Sequence, residues 1–148
     1  MPDSAPSTLL GKPEYEALAD FRYRLRRFLR FSEELTQSQG ITPLQYLLLL
    51  QIKGYPGREW ATIAELAERL QAHHHGVVAL TSRCEKAGLV ARRPGRDDKR
   101  CVEVYLLPKG EELLQRLAYM HRDQVTELQR VLSVPFEHLP AHSDFFVG

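Results

Sequence analysis

Apolar residues recur at helical spacing along most of this chain, and the breaks in that rhythm mark its elements. Leu18, Phe21, Leu25 and Phe28 step by three and four, and the series continues through Ser32 and Leu35. This predicts a long amphipathic helix from about Glu14 to residue 39, stopped by Gly40. Thr42-Pro43-Leu44-Gln45 opens the next helix: Thr42 caps, Pro43 has no N–H to waste, and Gln45 can close a capping box. Leu44, Tyr46, Leu47, Leu48, Leu49, Leu50 and Ile52 are apolar nearly all round, which puts this helix at the centre of the core. After the break at Gly54-Tyr55-Pro56-Gly57, Thr62 and Glu65 form a second capping box. Ile63, Leu66, Ala67 and Leu70 then share one face. A break at Gln71-Ala72 precedes a helix over roughly 73–87, with Val77, Leu80, Cys84 and Ala87 spaced by three and four. Gly88 ends it, because glycine takes the left-handed conformation at little cost.

Beyond Gly88 the period changes. Residues 89–93 and 101–106 are strand-like runs, and the turn-rich, charged segment from Pro94 to Arg100 lies between them. Arg92, Arg93, Arg96, Lys99 and Arg100 face only Asp97 and Asp98 in this stretch. A short helix, a tight turn, a second helix and a basic hairpin together make a winged helix-turn-helix. Pro108 then starts a helix whose apolar positions (Leu113, Leu114, Leu117, Met120, Val125, Leu128, Val131 and Leu132) run to about residue 132. Pro135 ends the pattern. Residues 1–13, with three prolines, read as a mobile tail. The apolar stretch from Phe136 to Val147 reads as a docking segment, with the other subunit one possible acceptor.

Composition adds bounds. A chain of 148 residues, 43% hydrophobic and 26% charged, is expected to be one soluble domain. The net charge of +1 does not by itself call for a nucleic-acid partner. Its distribution does, because residues 83–100 hold seven basic groups against three acidic ones. Two cysteines make no disulfide framework, and with neither a signal peptide nor an apolar run near ~20 residues the expectation is cytoplasmic, with no membrane partner.

Glu85-Lys86-Ala87-Gly88-Leu89-Val90, then Asp98-Lys99-Arg100, then Val104-Tyr105-Leu106 with Gly110, resemble the MarR family of transcriptional regulators. Their order and spacing look like that family's recognition-helix exit, wing and entry to the last helix. Leu107 departs from the pattern, standing where the family usually has a helix-capping Thr. The resemblance implies a mainly α fold with a small β-hairpin wing: a winged helix-turn-helix lobe at 41–107, flanked by dimerisation helices at 14–39 and 108–132, in a single domain over 14–148. It also implies double-stranded DNA and a second copy of the chain as partners, and a small aromatic or phenolic effector.

His73, His74 and His75 open the second helix of the motif, where recognition helices present side chains to base edges. Matched residue by residue, the resemblance places His74, His75, Val78, Ala79 and Ser82 at groove-facing positions. Val78 can touch a thymine methyl, and Thr81 or Ser82 can reach phosphate. In the wing, Arg93, Arg96, Lys99 and Arg100 supply the charge. The resemblance implies that Asp98 orients the basic group while Arg100 or Arg96 enters the minor groove or clamps phosphate. For the effector, Tyr23, Arg26, Tyr46 and Trp60 are candidate walls and anion partner, with a packing role the plainer reading of Trp60. The arginines of the first helix (22, 24, 26, 27 and 30) read as a solvated face rather than as DNA contacts.

No metal is expected. Consecutive histidines on a helix point about 100° apart, and Pro140 spoils the spacing of His138 and His142. Cys84 falls on the inward helix face as a small core residue, and Cys101 opens the second wing strand. No phosphate loop, HExxH or Gly-x-Ser-x-Gly is present, so neither catalysis nor a cofactor is expected. The function expected is sequence-specific binding to a pseudo-palindromic operator by a homodimeric repressor. The alternatives are a winged-helix protein-interaction module and a metal-responsive regulator.

Overall fold

A computed structural model describes residues 9–132. The helices are α1 (Lys12–Ser38), α2 (Pro43–Lys53), α3 (Ile63–Leu70), α4 (His74–Lys86) and α5 (Pro108–Leu132). The strands are β1 (Trp60–Thr62), β2 (Val90–Pro94) and β3 (Val102–Leu106). The apolar segment at 136–147 and the His138/His142 pair lie outside the described residues. The chain divides into two compact units, residues 30–122 and the remainder, so the division falls inside both long helices.

The unit over 30–122 is built on α2. Leu48, Leu49 and Ile52 are fully buried, joined in one core by Ile63 and Leu66 of α3, Val77 and Cys84 of α4, and Leu114 and Leu117 of α5. Both expected capping boxes form. Thr42 accepts from the Gln45 amide while Gln45 accepts from the Thr42 amide, and Thr62 and Glu65 do the same for α3. Strand β1 was not expected. Trp60–Thr62 adds a third, antiparallel strand to the wing, giving the order β1-β3-β2 with Ala61 opposite Val104 and Arg92 opposite Val104 on the other side. Ala61, Val104 and Val90 are buried. Trp60 and Tyr105 are paired across the strands on the opposite face.

Two local devices hold the DNA-reading candidates at fixed angles. Gln71, at φ 51, is the left-handed residue that separates α3 from α4. At the end of α4, the Gly88 amide donates to the Glu85 carbonyl and the Leu89 amide to the Cys84 carbonyl, a pair of hydrogen bonds that needs a left-handed residue at Gly88 (φ 78). A methyl group at Gly88 would meet only the Lys109 side chain, in ordinary contact at 3.9 Å. Gly88→Ala is therefore expected to cost only the left-handed strain of an L-residue, about 1 kcal/mol, measured by chemical denaturation.

The missing Thr cap at Leu107 is offset by backbone contacts. The Leu107 amide donates to the Leu89 carbonyl at 2.9 Å, and the Leu107 carbonyl accepts from the Glu111 amide at 2.9 Å. Lys109 also donates to the Ala87 carbonyl, so the entry to α5 is stitched to the exit of α4.

In the other unit, described over residues 9–29 and 123–132, Arg24 bonds Asp20 at 2.9 Å and lies 3.9 Å from Glu127. An open cleft of about 250 Å³ is lined by Arg24, Arg27, Phe28, Glu127 and Leu128, among others.

Candidate nucleic-acid interface

The amphipathicity of α4 decides which of its side chains can meet a partner. Val77, Leu80, Thr81 and Cys84 form the buried face. His74, His75 and Ala79 are exposed, and Val78 and Ser82 are half-buried at the margin, so these five remain candidates. Thr81 does not: it is fully buried and its hydroxyl donates to the Val77 carbonyl at 2.7 Å. The expectation that it reaches phosphate is corrected on that ground. Ser82 donates to the Val78 carbonyl at 3.0 Å but keeps part of its surface open. His73 is the N-cap of α4 and makes no side-chain cap bond; its ring stacks on His75 at 5.7 Å. The exposed Arg83 and Lys86 extend the outward face toward the wing.

The wing's five cations are not equivalent. Arg92 is consumed internally, since its amide and its guanidinium both donate to Glu85 at 3.1 Å. Arg93 lies over the Tyr105 ring at 4.5 Å. Arg96 donates to the Tyr105 hydroxyl at 3.1 Å, and its guanidinium stands 5.4 Å from the Trp60 ring centre. Lys99 is exposed and, among the described residues, has no ion-pair partner.

Arg100 is held by Asp98, as the family resemblance implies. Asp98 accepts from its backbone amide at 3.0 Å, from Nε at 3.1 Å and from the guanidinium again at 3.2 Å. These bonds with Arg100 keep the Asp98 carboxyl below its usual range. The Arg100 side chain is nonetheless 92% exposed, so one face is oriented and the rest is presented to whatever the wing meets.

Sequence reasoning missed the ladder of rings and arginines behind the wing. Arg58 sits between Tyr55 (4.2 Å) and Trp60 (3.9 Å), and Trp60 stacks on Tyr105 at 6.1 Å. Glu65 anchors the far end, accepting from Tyr55 Oη at 2.6 Å, from the Thr62 amide at 2.9 Å and from Arg58. Burial pushes its carboxyl up, but the bonds from Tyr55, Thr62 and Arg58 outweigh that and bring it from 4.5 down to about 2. A carboxyl lowered on folding stabilises the fold above its unfolded pKa, and that contribution is lost as pH falls through the folded one. Acid unfolding of the wild type is thus expected to draw on Glu65 between about pH 4.5 and 2. Glu65→Gln should flatten the stability curve in that window, as read by circular dichroism across a pH series.

Of the four effector candidates, Tyr46 and Trp60 lie in the 30–122 unit, with different neighbours. Tyr46 is buried, its ring stacked 4.7 Å from that of His121. The imidazole of His121 lies 2.7 Å from the Leu117 carbonyl oxygen and 2.8 Å from the Ser32 hydroxyl. Trp60 has the different neighbours just named. Tyr23 and Arg26 are exposed on α1 in the other unit. Among the described residues no group of three or more His, Cys, Asp or Glu is placed to hold a metal ion, and no helix is long and apolar enough to cross a membrane. Cys84 is a core residue as expected, its thiol pushed up to about 11 by burial. Cys101 is exposed.

The geometry meets the comparison with known proteins at the same residues. The family model described as MarR family matches residues 39–100, which run from the end of α1 to Arg100. Over these residues the chain matches the MarR family. A transcriptional regulatory protein named for the hcr operon of Thauera aromatica is 28% identical over 130 residues, covering 77% of this chain and 76% of its own. The transcriptional repressor MdtR of Bacillus subtilis is 26% identical over 100 residues, covering 65% of this chain and 63% of its own. Among solved structures, AbsC of Streptomyces coelicolor superposes with a TM-score of 0.71 at 22% identity, covering 87% of this chain and 86% of that one. A cysteine-to-serine variant of MarR from E. coli, complexed with operator DNA, superposes at 0.64 and 22% identity, covering 83% and 86%. These two similarities carry the fold. The MarR-family match spans the helix-turn-helix and the wing up to its tip, where the exposed candidates lie.

Proposed function

We propose that this MarR-family chain is a sequence-specific DNA-binding transcriptional regulator that acts as a homodimer. Helix α4 enters the major groove through His74, His75, Val78, Ala79 and Ser82, and the wing reaches the flanking backbone or minor groove through Arg100. The observation that carries this reading is the wing tip, where an arginine held by three bonds to Asp98 leaves most of its surface exposed. Such a side chain has lost rotamer freedom before binding and gives up less of it on contact. An oriented cation of this kind suits a phosphate row or a narrow groove.

One lobe reads few base pairs, and two lobes related by a two-fold axis read two half-sites. The stripes of α1 and α5 supply the pairing surface in this reading, and repression is the outcome carried by the MdtR relative. A small aromatic or phenolic effector acts by binding one arrangement of the two lobes better than another. Genomic fragments captured by the purified protein and sequenced should share an inverted repeat whose half-sites lie about 10 base pairs apart, one helical turn. Capture without any enriched site would refute this function and favour the protein-interaction module.

A further inference from the structure

We propose that Glu103 and Tyr105 are positioning residues for DNA binding, acting through Arg96 to fix the wing on which Arg100 is presented. This rests on the DNA-binding reading above. Glu103 is only 4% exposed, although a carboxylate is costly to bury without partners. Its hydrogen-bond partners, Tyr105 and Arg96, belong to the wing. One oxygen accepts from Tyr105 Oη at 2.6 Å, the other from the Arg96 amide at 3.1 Å, and Arg96 Nε stands 3.8 Å away. Glu103 and Tyr105 are two apart on β3 and so lie on one face of the sheet. Tyr105 completes the circuit by accepting from the Arg96 guanidinium.

Arg96 is therefore tied to the sheet by its backbone and by its side chain. The rest of the tip is closed on itself: the Gly95 amide donates to the Cys101 carbonyl at 2.8 Å and the Cys101 amide to the Asp98 carbonyl at 3.0 Å. The loop is thus pinned by two carboxylates, Glu103 at Arg96 and Asp98 at Arg100. In this arrangement Arg96 is a rivet and Arg100 is the side chain that reaches DNA.

The sign of one substitution separates this from bulk electrostatics. Glu103→Gln removes a negative charge beside the DNA site, which by charge alone should tighten binding. Positioning requires the opposite, a loss of about tenfold on the specific site, comparable to 1.4 kcal/mol. Tyr105→Phe, which keeps the ring and deletes only the hydroxyl, should fall in the same direction. In an Arg100→Ala background Glu103→Gln should have little further effect, because the side chain it positions is gone. Trp60 is the only tryptophan in the chain and lies against Arg96 and Tyr105. Its emission without DNA should therefore shift to longer wavelength in both single variants.

Binding by Glu103→Gln as tight as wild type, or tighter, would overturn the inference. So would an equal loss in the wild-type and Arg100→Ala backgrounds, since that would mark a role in folding alone. If the wild type shows no salt-dependent, sequence-selective binding, the DNA-binding reading fails and the positioning role with it. The Trp60 spectra still show in that case whether Glu103 holds the wing.

Discussion

Replacing Gly110 by alanine is expected to destabilise the 30–122 unit by at least about 3 kcal/mol, within the range of severe overpacking. The first turn of α5 crosses directly over the backbone of Leu89. A Cβ at position 110 would stand 2.9 Å from the Leu89 carbonyl carbon and 3.1 Å from its Cα, and closer still to its oxygen. All three are backbone atoms, so no rotamer change relieves the clash. The same oxygen accepts from the Leu107 amide, so moving Leu89 away also breaks the bond that starts α5. Leu89 is itself buried in the core. Thermal unfolding followed by circular dichroism should show a fall in Tm on the order of 10 °C. The Gly88→Ala variant, whose cost is strain without collision, should fall by much less. Equal effects at the two glycines would mean that α5 slides freely at its start.

Arg100→Ala is expected to weaken operator binding by at least about tenfold, the larger in the proposed homodimer, which carries two copies of the residue. Lys99→Ala makes the same change in net charge one residue away and is the control. Lys99 is a flexible point charge with no ion-pair partner among the described residues. Arg100 is a planar fork already oriented by Asp98. If charge alone governs the wing, the two variants lose affinity equally. If orientation matters, Arg100→Ala loses several times more.

What was legible in the sequence was mostly local. Capping boxes at Thr42 and Thr62 and the glycine exit of α4 each involve residues within a few positions, so their chemistry is visible as spacing, whereas the Asp98–Arg100 pair was implied by the family resemblance. Thr81 was legible too but misread. It lies four residues after Val77 and three before Cys84, on the inward face, and its polarity outweighed its position. Strand β1 is three residues long, too short for its alternation to stand out in the sequence, so its pairing with β3 emerges only in the fold. The clamp of Glu103, Tyr105 and Arg96 joins positions seven and nine apart across a turn, and single-chain periodicity says nothing about such contacts. Ser32 and His121 are a subtler case. Each falls on the apolar series of its helix, and the structure brings the two polar side chains together at 2.8 Å. A polar residue on both stripes was the available signal.

The most direct test of the account is the salt dependence of binding to an enriched genomic site, for wild type and for Arg100→Ala. The logarithm of the association constant should fall linearly with the logarithm of salt concentration, and the mutant slope should be shallower by about one per protomer. Random DNA of equal length should bind far more weakly at every salt concentration. Parallel lines for the two proteins would show that Arg100 neutralises no phosphate. A flat wild-type line, indifferent to salt and to sequence, would contradict the assignment of this chain to DNA.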